Sequence, residues 1–449
     1  MEVLPLKEQI AENTLLEVSA LLLPYLSDGE NVCYEVKRGP ELNHSCLTLL
    51  RKGNDVFATG SYYVGVDWLC ENEMAIEVFP KMNDREHYVE IDYLRMLEEA
   101  LQEPENFKDL DDLVTIHFQK SLVPLANHHA DFLSLFLITE YIQVLKAIVA
   151  KGLKKSYYEV EENLKNKVKG KILSSKNVVK NLSRGYITFN ECRYQVYDVN
   201  TPENRILKKA MRFCEQQLKV VYSHGTDIRP IQRRITQLKP HFVGVGDLVE
   251  IKEIQKIKSN PLFKEYKQAL HLAQLILRRY GYDLTMASKQ QLKTPPFWVD
   301  CSKLFELYVF SKLRRVFTEP KELVYHKKMS KLEPDYMLHA KEWSENYIID
   351  AKYKPAYKDI GILKEDAWQV AGYARLHSVY KYFELNEDIA LPIKCLIIYP
   401  DQNKSENFTF TRWNEPKFDK ISNYVRMYKV GIRLPEIEIK CKDGNFRST

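Results

Sequence analysis

Apolar and polar residues change their rhythm several times along this chain. Up to about Leu26, Ile10, Leu15, Leu16, Ser19, Leu22 and Leu23 recur at helical spacing, which predicts one amphipathic helix. Between Val32 and Pro80 the rhythm shortens to runs such as CYEVKRG, CLTLLRKGNDVFATGSYYVGVDWL and MAIEVFPKM, broken at Gly-Asn-Asp and Glu-Asn-Glu. Short β-rich runs between turn residues predict a small β-rich module, partly closed as a barrel. From about Glu90 to Lys219 helical periodicity dominates, strongest in IDYLRMLEEAL and in ADFLSLFLITEYIQVLKAIVAKGL, with Gly152 suited to ending the second helix. TPENRILKKAMRFCEQQLKVV predicts a further helix, with Thr201 as N-cap and Pro202 at its first position. PLFKEYKQALHLAQLILRRYG predicts another. Between these helices, the Lys- and Asn-rich stretch from Tyr157 to Asn200 carries no clear period.

A polar join follows Gly281, and a boundary is expected near Thr294-Pro295-Pro296. Beyond it the pattern predicts helix 302–317, strands 323–326, 336–339 and 347–354, helix 366–377 and strand 395–399. That order implies a mixed sheet with helices against it. The division expected is residues 1–118 as a β-rich module, 119–293 as a helical middle region and 294–449 as a C-terminal α/β domain.

Composition narrows the class. The chain has 449 residues, 45% hydrophobic and 28% charged, as in soluble globular proteins. No apolar run reaches the roughly 18 residues that a membrane span requires, and MEVLPLKEQIAENTLL lacks the basic-then-apolar order of a secretory signal. A cytoplasmic location is expected. Eight cysteines, at 33, 46, 70, 192, 214, 301, 395 and 441, include no CxxC pair. Reduced thiols are therefore expected rather than a zinc site or a disulfide framework. A net charge of +5 permits contact with nucleic acid without demanding it.

Candidate chemistry gathers in the last segment. In a strand, residues two apart share a face, so Asp350 and Lys352 project together. If Tyr336–His339 pairs with that strand as a hairpin turning at Trp343–Asn346, Asp335 comes across from Asp350. Two converging carboxylates repel unless a cation lies between them, and a hard divalent ion, Mg²⁺ first and Mn²⁺ second, suits oxygen ligands. An adjacent ammonium can position water and offset charge on a phosphoryl group. D-x-K alone is commonplace. Here Pro-Asp opens the preceding β-run, and Tyr347–Ile349 is apolar on both faces, as an internal strand is. Glu306 on a largely apolar helix, and Gln369 and Tyr373 four apart on another, complete the set. Each of these three taken singly reads as a surface residue.

In this order, Glu306, Pro334-Asp335, Asp350-Ala351-Lys352 and Gln369-x-x-x-Tyr373 resemble the PD-(D/E)xK nuclease signature. More narrowly they are similar to the McrC family, the nuclease subunits of McrBC-type modification-dependent restriction systems. The likeness extends to SYYVGVDWL…AIEVFPKMN (Ser61–Asn83), to KGLKKSYYEVEENLKNKVKGKI (Lys151–Ile172) and to DVNTPENRILKKAM (Asp198–Met211). The resemblance implies a restriction-endonuclease-like C-terminal domain in which Asp335 and Asp350 bind metal and Lys352 assists the nucleophile. Glu306 would be an auxiliary acid, with Gln369 and Tyr373 supporting. It also implies a hexameric AAA+ GTPase partner that binds GTP, reads the methylcytosine-type modification and is stimulated by this subunit. Double-stranded DNA would be the substrate, with nuclease domains pairing to cut both strands. The chain has no GxxxxGK[ST] loop, consistent with a nucleotide site on another chain.

Two other readings stand beside this one: a noncatalytic adaptor that activates an AAA+ ring, and a stand-alone repair nuclease of the same superfamily. Lys165, Lys167, Lys169, Lys171, Lys176, Lys180 and Arg184 suit a phosphate backbone, an acidic partner surface or plain solvation equally. Arg233-Arg234 and Arg278-Arg279 are similarly open. Gly60 and Gly65, flanking Tyr62-Tyr63, mark a bulge or a close backbone approach.

Overall fold

The computed structural model describes residues 2–38, 42–81, 91–100, 102–103, 105–106, 113–117, 120–124, 132–221, 229–247, 264–285, 293–319, 321–329, 332–354, 357, 361–386, 388, 391–402 and 408–436. By chain contacts it forms two compact units, Met1–Phe136 together with Ser288–Thr449, and Leu137–Ala287. The first and last stretches of the chain thus belong to one unit, with the middle stretch forming the other.

The expected N-terminal helix is absent. Its place is taken by strands Glu2–Lys7 and Thr14–Leu15 and a short helix, Ser19–Leu22. The first strand buries Leu4 and Leu6 and exposes Pro5 and Lys7, an alternation of two hidden by the helical spacing of later residues. It lies at the edge of its sheet, where proline costs no ladder bond.

The β-rich runs form strands as expected, but in two open sheets rather than a barrel. One has the order Thr14–Leu15, Asp55–Gly60, Leu42–Lys52, Asn31–Arg38. The other runs Glu2–Lys7, Met74–Phe79, Tyr63–Cys70, Phe297–Asp300, Val114–Ile116. Leu4, Leu6, Leu47, Leu49, Val56, Ile76 and Trp298 share one core between them. The 32–80 segment does not close on itself because the second sheet takes strands from before it, after it and far beyond it.

Gly65 explains one detail of that sheet. A Cβ there would lie 2.0 Å from the carbonyl oxygen of Phe297, so the close backbone approach expected at this glycine is present.

Helices Phe132–Lys151, which belongs to the unit Leu137–Ala287 from Leu137 onward, Pro202–Val221 and Lys264–Thr285 follow the predicted periodicity. Gly152 takes a left-handed φ of 89° just past the first of these. The Asn204 N–H meets Thr201 Oγ1 at 3.3 Å, as an N-cap does. The unassigned stretch folds as an antiparallel pair, Ser156–Lys165 with Phe189–Asp198, plus Lys171–Ile172 and the helix Ser174–Lys180. Within it Lys180 pairs with Glu191 at 2.6 Å, Lys176 with Glu161, and Lys169 stands 4.0 Å over the Tyr194 ring. The side chains of Arg278 and Arg279, and Cys441, lie outside the described residues.

The C-terminal segment builds a six-stranded mixed sheet, in the order Leu323–Tyr325, Tyr336–Ala340, Glu345–Ala351, Lys394–Pro400, Met427–Ile432, Asp419–Lys420. The first three strands are antiparallel, and Glu345–Ala351, Lys394–Pro400 and Met427–Ile432 run parallel to one another. Helices Lys364–Tyr373 and His377–Tyr382 make the crossover between parallel strands, which a two-residue turn cannot. Ala367, Val370, Val379 and Phe383 pack on one sheet face against Met337, Ile348 and Ile397. Helix Cys301–Arg314 covers the other face, its Phe310 ring stacked on Tyr325 at 4.8 Å. A mixed α/β architecture with several sheets is therefore present. The last two strands, Asp419–Lys420 and Met427–Ile432, were not anticipated.

Candidate functional site: two acids and a lysine on adjacent strands

Register decides whether the acids meet. Tyr336 pairs with Ile349, Met337 with Ile348 and Ala340 with Glu345. One step further along this antiparallel ladder sets Asp335 opposite Asp350. The turn occupies Lys341–Ser344, two residues earlier than Trp343–Asn346, with Ser344 left-handed at φ 54°. The shift leaves the pairing of the acids as expected. The Ala351 N–H donates to Asp335 Oδ2 at 2.9 Å, tying the first acid to the backbone beside the second.

Asp350 is fully buried, because Glu345–Ala351 is an inner strand with a helix layer on each side. Its Oδ1 has no hydrogen-bond partner, and Oδ2 faces Lys352 Nζ at 2.9 Å. An ionised carboxylate is costly at such a position. Burial pushes the Asp335 carboxyl well above its ordinary range, and the charges of Asp350 and Glu306 push it further. Burial also raises Asp350; Lys352 offsets part of this, while Glu306 and Asp366 add to it. For Lys352 burial acts downward, but Asp350 and then Asp335 outweigh it and hold the ammonium above its usual value. The group as built is short of positive charge.

Lys352 is further oriented from the helix. Its Nζ donates to Gln369 Oε1 at 3.0 Å, and Gln369 Nε2 reaches Tyr373 OH at 2.7 Å. The four-residue spacing of Gln369 and Tyr373 places both on the face that meets the strand. Burial raises the Tyr373 hydroxyl, and the two acids add to the effect. Glu306 sits on helix Cys301–Arg314, close enough to perturb both acids, and its Oε2 lies 3.4 Å from His326 Nε2. All six candidate residues thus belong to one neighbourhood.

Three further residues join them. Lys354, next on the Asp350–Lys352 face, pairs with Asp366 at 2.7 Å. The alternation of two for Lys354, and helical spacing from Gln369 for Asp366, could have found these. No sequence signal marks His326, a left-handed residue (φ 45°) whose N–H donates to the Asp335 carbonyl at 2.9 Å.

Among the described residues no three or more His, Cys, Asp or Glu side chains are gathered into a ready metal cage. Two carboxylates are nevertheless a fitting donor set for Mg²⁺, which commonly keeps several waters and takes one or two protein carboxylates. Asp350 Oδ1, buried and unpartnered, is the atom that most needs such a cation.

Fold and site together define a multidomain α/β protein whose C-terminal sheet presents a carboxylate pair beside a lysine. The family model described as "McrBC 5-methylcytosine restriction system component" matches residues 60–385, well over half of the chain, and the chain belongs to that family. No curated protein matches it. Among solved structures, it is similar to a refined half-complex from a tetradecameric assembly of Thermococcus gammatolerans McrB AAA+ hexamers with bound McrC. That match has 14% identity over 96% of this chain and 94% of that chain, with a TM-score of 0.38. A cryo-EM structure of the Thermococcus gammatolerans McrBC complex matches at 15% identity over 72% and 90%, with a TM-score of 0.31. No helix among the described residues is long and apolar enough to cross a membrane.

Proposed function

We propose that this restriction-system component is its nuclease subunit, an Mg²⁺-dependent PD-(D/E)xK endonuclease that hydrolyses DNA phosphodiesters. The observation that carries the reading is the ladder register, which sets Asp335 beside Asp350 while Lys352 contacts Asp350 at 2.9 Å. Asp335 and Asp350 would hold the divalent ion, Mg²⁺ or Mn²⁺ in its place. When bound, the ion supplies charge neutralisation at the phosphate and a more acidic water. Lys352, kept charged by the acids and aimed by Gln369, orients the attacking water and offsets the negative charge that grows on the phosphoryl oxygens. Tyr373 fixes Gln369, and Glu306 gives the site a further acid, with the His326 ring beside it.

The same reading gives the chain a hexameric AAA+ GTPase partner, which binds GTP and whose hydrolysis this subunit stimulates. Membership in the family supports it, as does the absence from this sequence of a phosphate-binding GxxxxGK[ST] loop. Pairing of two nuclease domains would cut both strands of the duplex.

Replacing Asp350 by Ala should reduce cleavage of methylated DNA by the chain and its GTPase partner at least about a thousand-fold. Stimulation of GTP hydrolysis should stay near the wild-type level. Undiminished cleavage by Asp350→Ala would sink the site assignment. Robust cleavage by the isolated chain without GTP would favour a stand-alone nuclease.

A further inference from the structure

Immediately after Lys352 the strand leaves its sheet. The Lys352 N–H donates to the Ile398 carbonyl at 2.8 Å, and the Lys354 N–H already turns back to the Lys352 carbonyl at 2.7 Å. Something else must hold Tyr353, whose ring meets Phe305 on helix Cys301–Arg314, whereas Lys352 meets Gln369 on helix Lys364–Tyr373. Tyr353 is 1% exposed, its ring 5.8 Å from that of Phe305, the neighbour of Glu306. Its hydroxyl meets the Tyr93 hydroxyl at 2.8 Å.

Its carbonyl accepts a hydrogen bond from a distant part of the chain, Gln9 Nε2, at 3.0 Å. The other end of the same amide, Oε1, accepts from Lys81 Nζ at 3.1 Å. A carbonyl cannot donate and an ammonium cannot accept, so the two partners fix the orientation of the Gln9 amide. Gln9 itself is left-handed, with φ 55°, and its N–H donates to the Ser61 carbonyl at 2.9 Å. A non-glycine residue persists in that conformation only where its surroundings hold it. Glu8 beside it is 2% exposed and accepts from the Lys81 N–H at 3.0 Å, and its own N–H donates to the Phe79 carbonyl at 3.0 Å. Burial pushes its carboxyl up to about 8, against the opposing pull of Lys81 and Tyr353. Near neutral pH it is therefore a largely protonated group among the Tyr93 and Tyr353 hydroxyls and the Cys301 thiol.

We infer that Gln9 and Glu8, acting through Tyr353, are positioning residues for Lys352, so that the N-terminal β-rich module sets the aim of the lysine in the C-terminal sheet. The inference rests on the catalytic reading of Lys352 given above. Tyr353 and Lys352 are consecutive just past the strand end at Ala351, so a rotation allowed at one redirects the other. The Phe305–Tyr353 contact places Glu306 under the same anchor.

Gln9→Met keeps the length of the side chain and removes both polar contacts; Tyr353→Phe keeps the ring and the Gln9 contact and removes the hydroxyl. Each is made in the full chain and compared with wild type in two measurements. In hydrogen exchange, the Gln9→Met peptide covering Ala351–Lys354 should exchange roughly ten-fold faster, with Lys394–Pro400 unchanged. In Mg²⁺-dependent cleavage with the partner present, kcat should fall roughly ten- to hundred-fold with KM for DNA unchanged, since a small misplacement acts on the chemical step. Tyr353→Phe should show a smaller change in the same direction. Unchanged exchange at Lys352 overturns the inference, and so does faster exchange with an unchanged kcat. Should the wild type cut no DNA with either metal, the nuclease reading falls, and the exchange comparison alone decides whether Gln9 anchors this strand.

Discussion

Asp335 and Asp350 are each above the ordinary range of a carboxylic acid, with burial as the first cause. The native state therefore retains protons that the unfolded chain has released by about pH 4. Between those limits the native form binds more protons, so this pair lowers stability as pH rises. A divalent ion held by the pair should reverse that cost. The gain in melting temperature on adding Mn²⁺ should accordingly be small at pH 5 and larger at pH 8. At a metal concentration of a hundred times Kd it would correspond to about 3 kcal/mol. The same titration on Asp350→Asn should show almost no gain at either pH. A gain independent of pH, or one kept by Asp350→Asn, would place the metal elsewhere. At this scale the sequence was highly legible: the spacing of two in Asp350-Ala351-Lys352 and of four in Gln369–Tyr373 each became a contact. What escaped was whatever depends on a turn of unusual backbone, as at His326, or on a partner hundreds of residues away, as at Gln9.

At the scale of strands and helices, success followed the apolar periodicity. Helix Pro202–Val221 and strand Glu345–Ala351 carry their own one- or two-sided burial pattern, and their positions were readable to within a few residues. Strand Ser156–Lys165 was not, because its own Asn163 is linked to Asn181, Asn181 to Asn177, and Asn177 to the Glu191 backbone N–H, hydrogen bonds that no apolar period announces. The strand Glu2–Lys7 was lost differently: its alternation is only two buried residues long. Gly65 offers an element-scale test. Gly65→Ala would press a methyl group into the Phe297 carbonyl and push the strands Tyr63–Cys70 and Phe297–Asp300 apart. A loss on the order of 3 kcal/mol in chemical denaturation is expected. A loss below about 0.5 kcal/mol would mean that the sheet adjusts without strain.

Over the whole molecule, the β-rich module is not self-sufficient. Phe297–Asp300 pairs with both Tyr63–Val66 and Val114–Ile116, and Trp298 is buried in the core shared by the two N-terminal sheets. Trp298 is also among the largest buried side chains of the chain. A fragment of residues 1–136 would lack Trp298 in that core and would leave strand edges unpaired. It should give a poorly dispersed amide spectrum and aggregate. A sharp, dispersed spectrum from the fragment would show that Phe297–Asp300 is dispensable. A division of the sequence at residue 118 does not capture this dependence, since strand pairing between positions as far apart as Tyr63 and Asp300 leaves no local pattern.

That long-range pairing also has a consequence in time. While the polypeptide is being made, Tyr63–Cys70 emerges from the ribosome well before its partner Phe297–Asp300 exists. At ordinary translation speeds the wait is on the order of ten seconds or more, far longer than a hairpin needs to form. The inserted stretch Leu137–Ala287, a compact unit of its own, is complete before Phe297–Asp300 has been made. The half-finished sheet meanwhile offers its bare edge to any chaperone, or to any neighbouring nascent chain, that reaches it first.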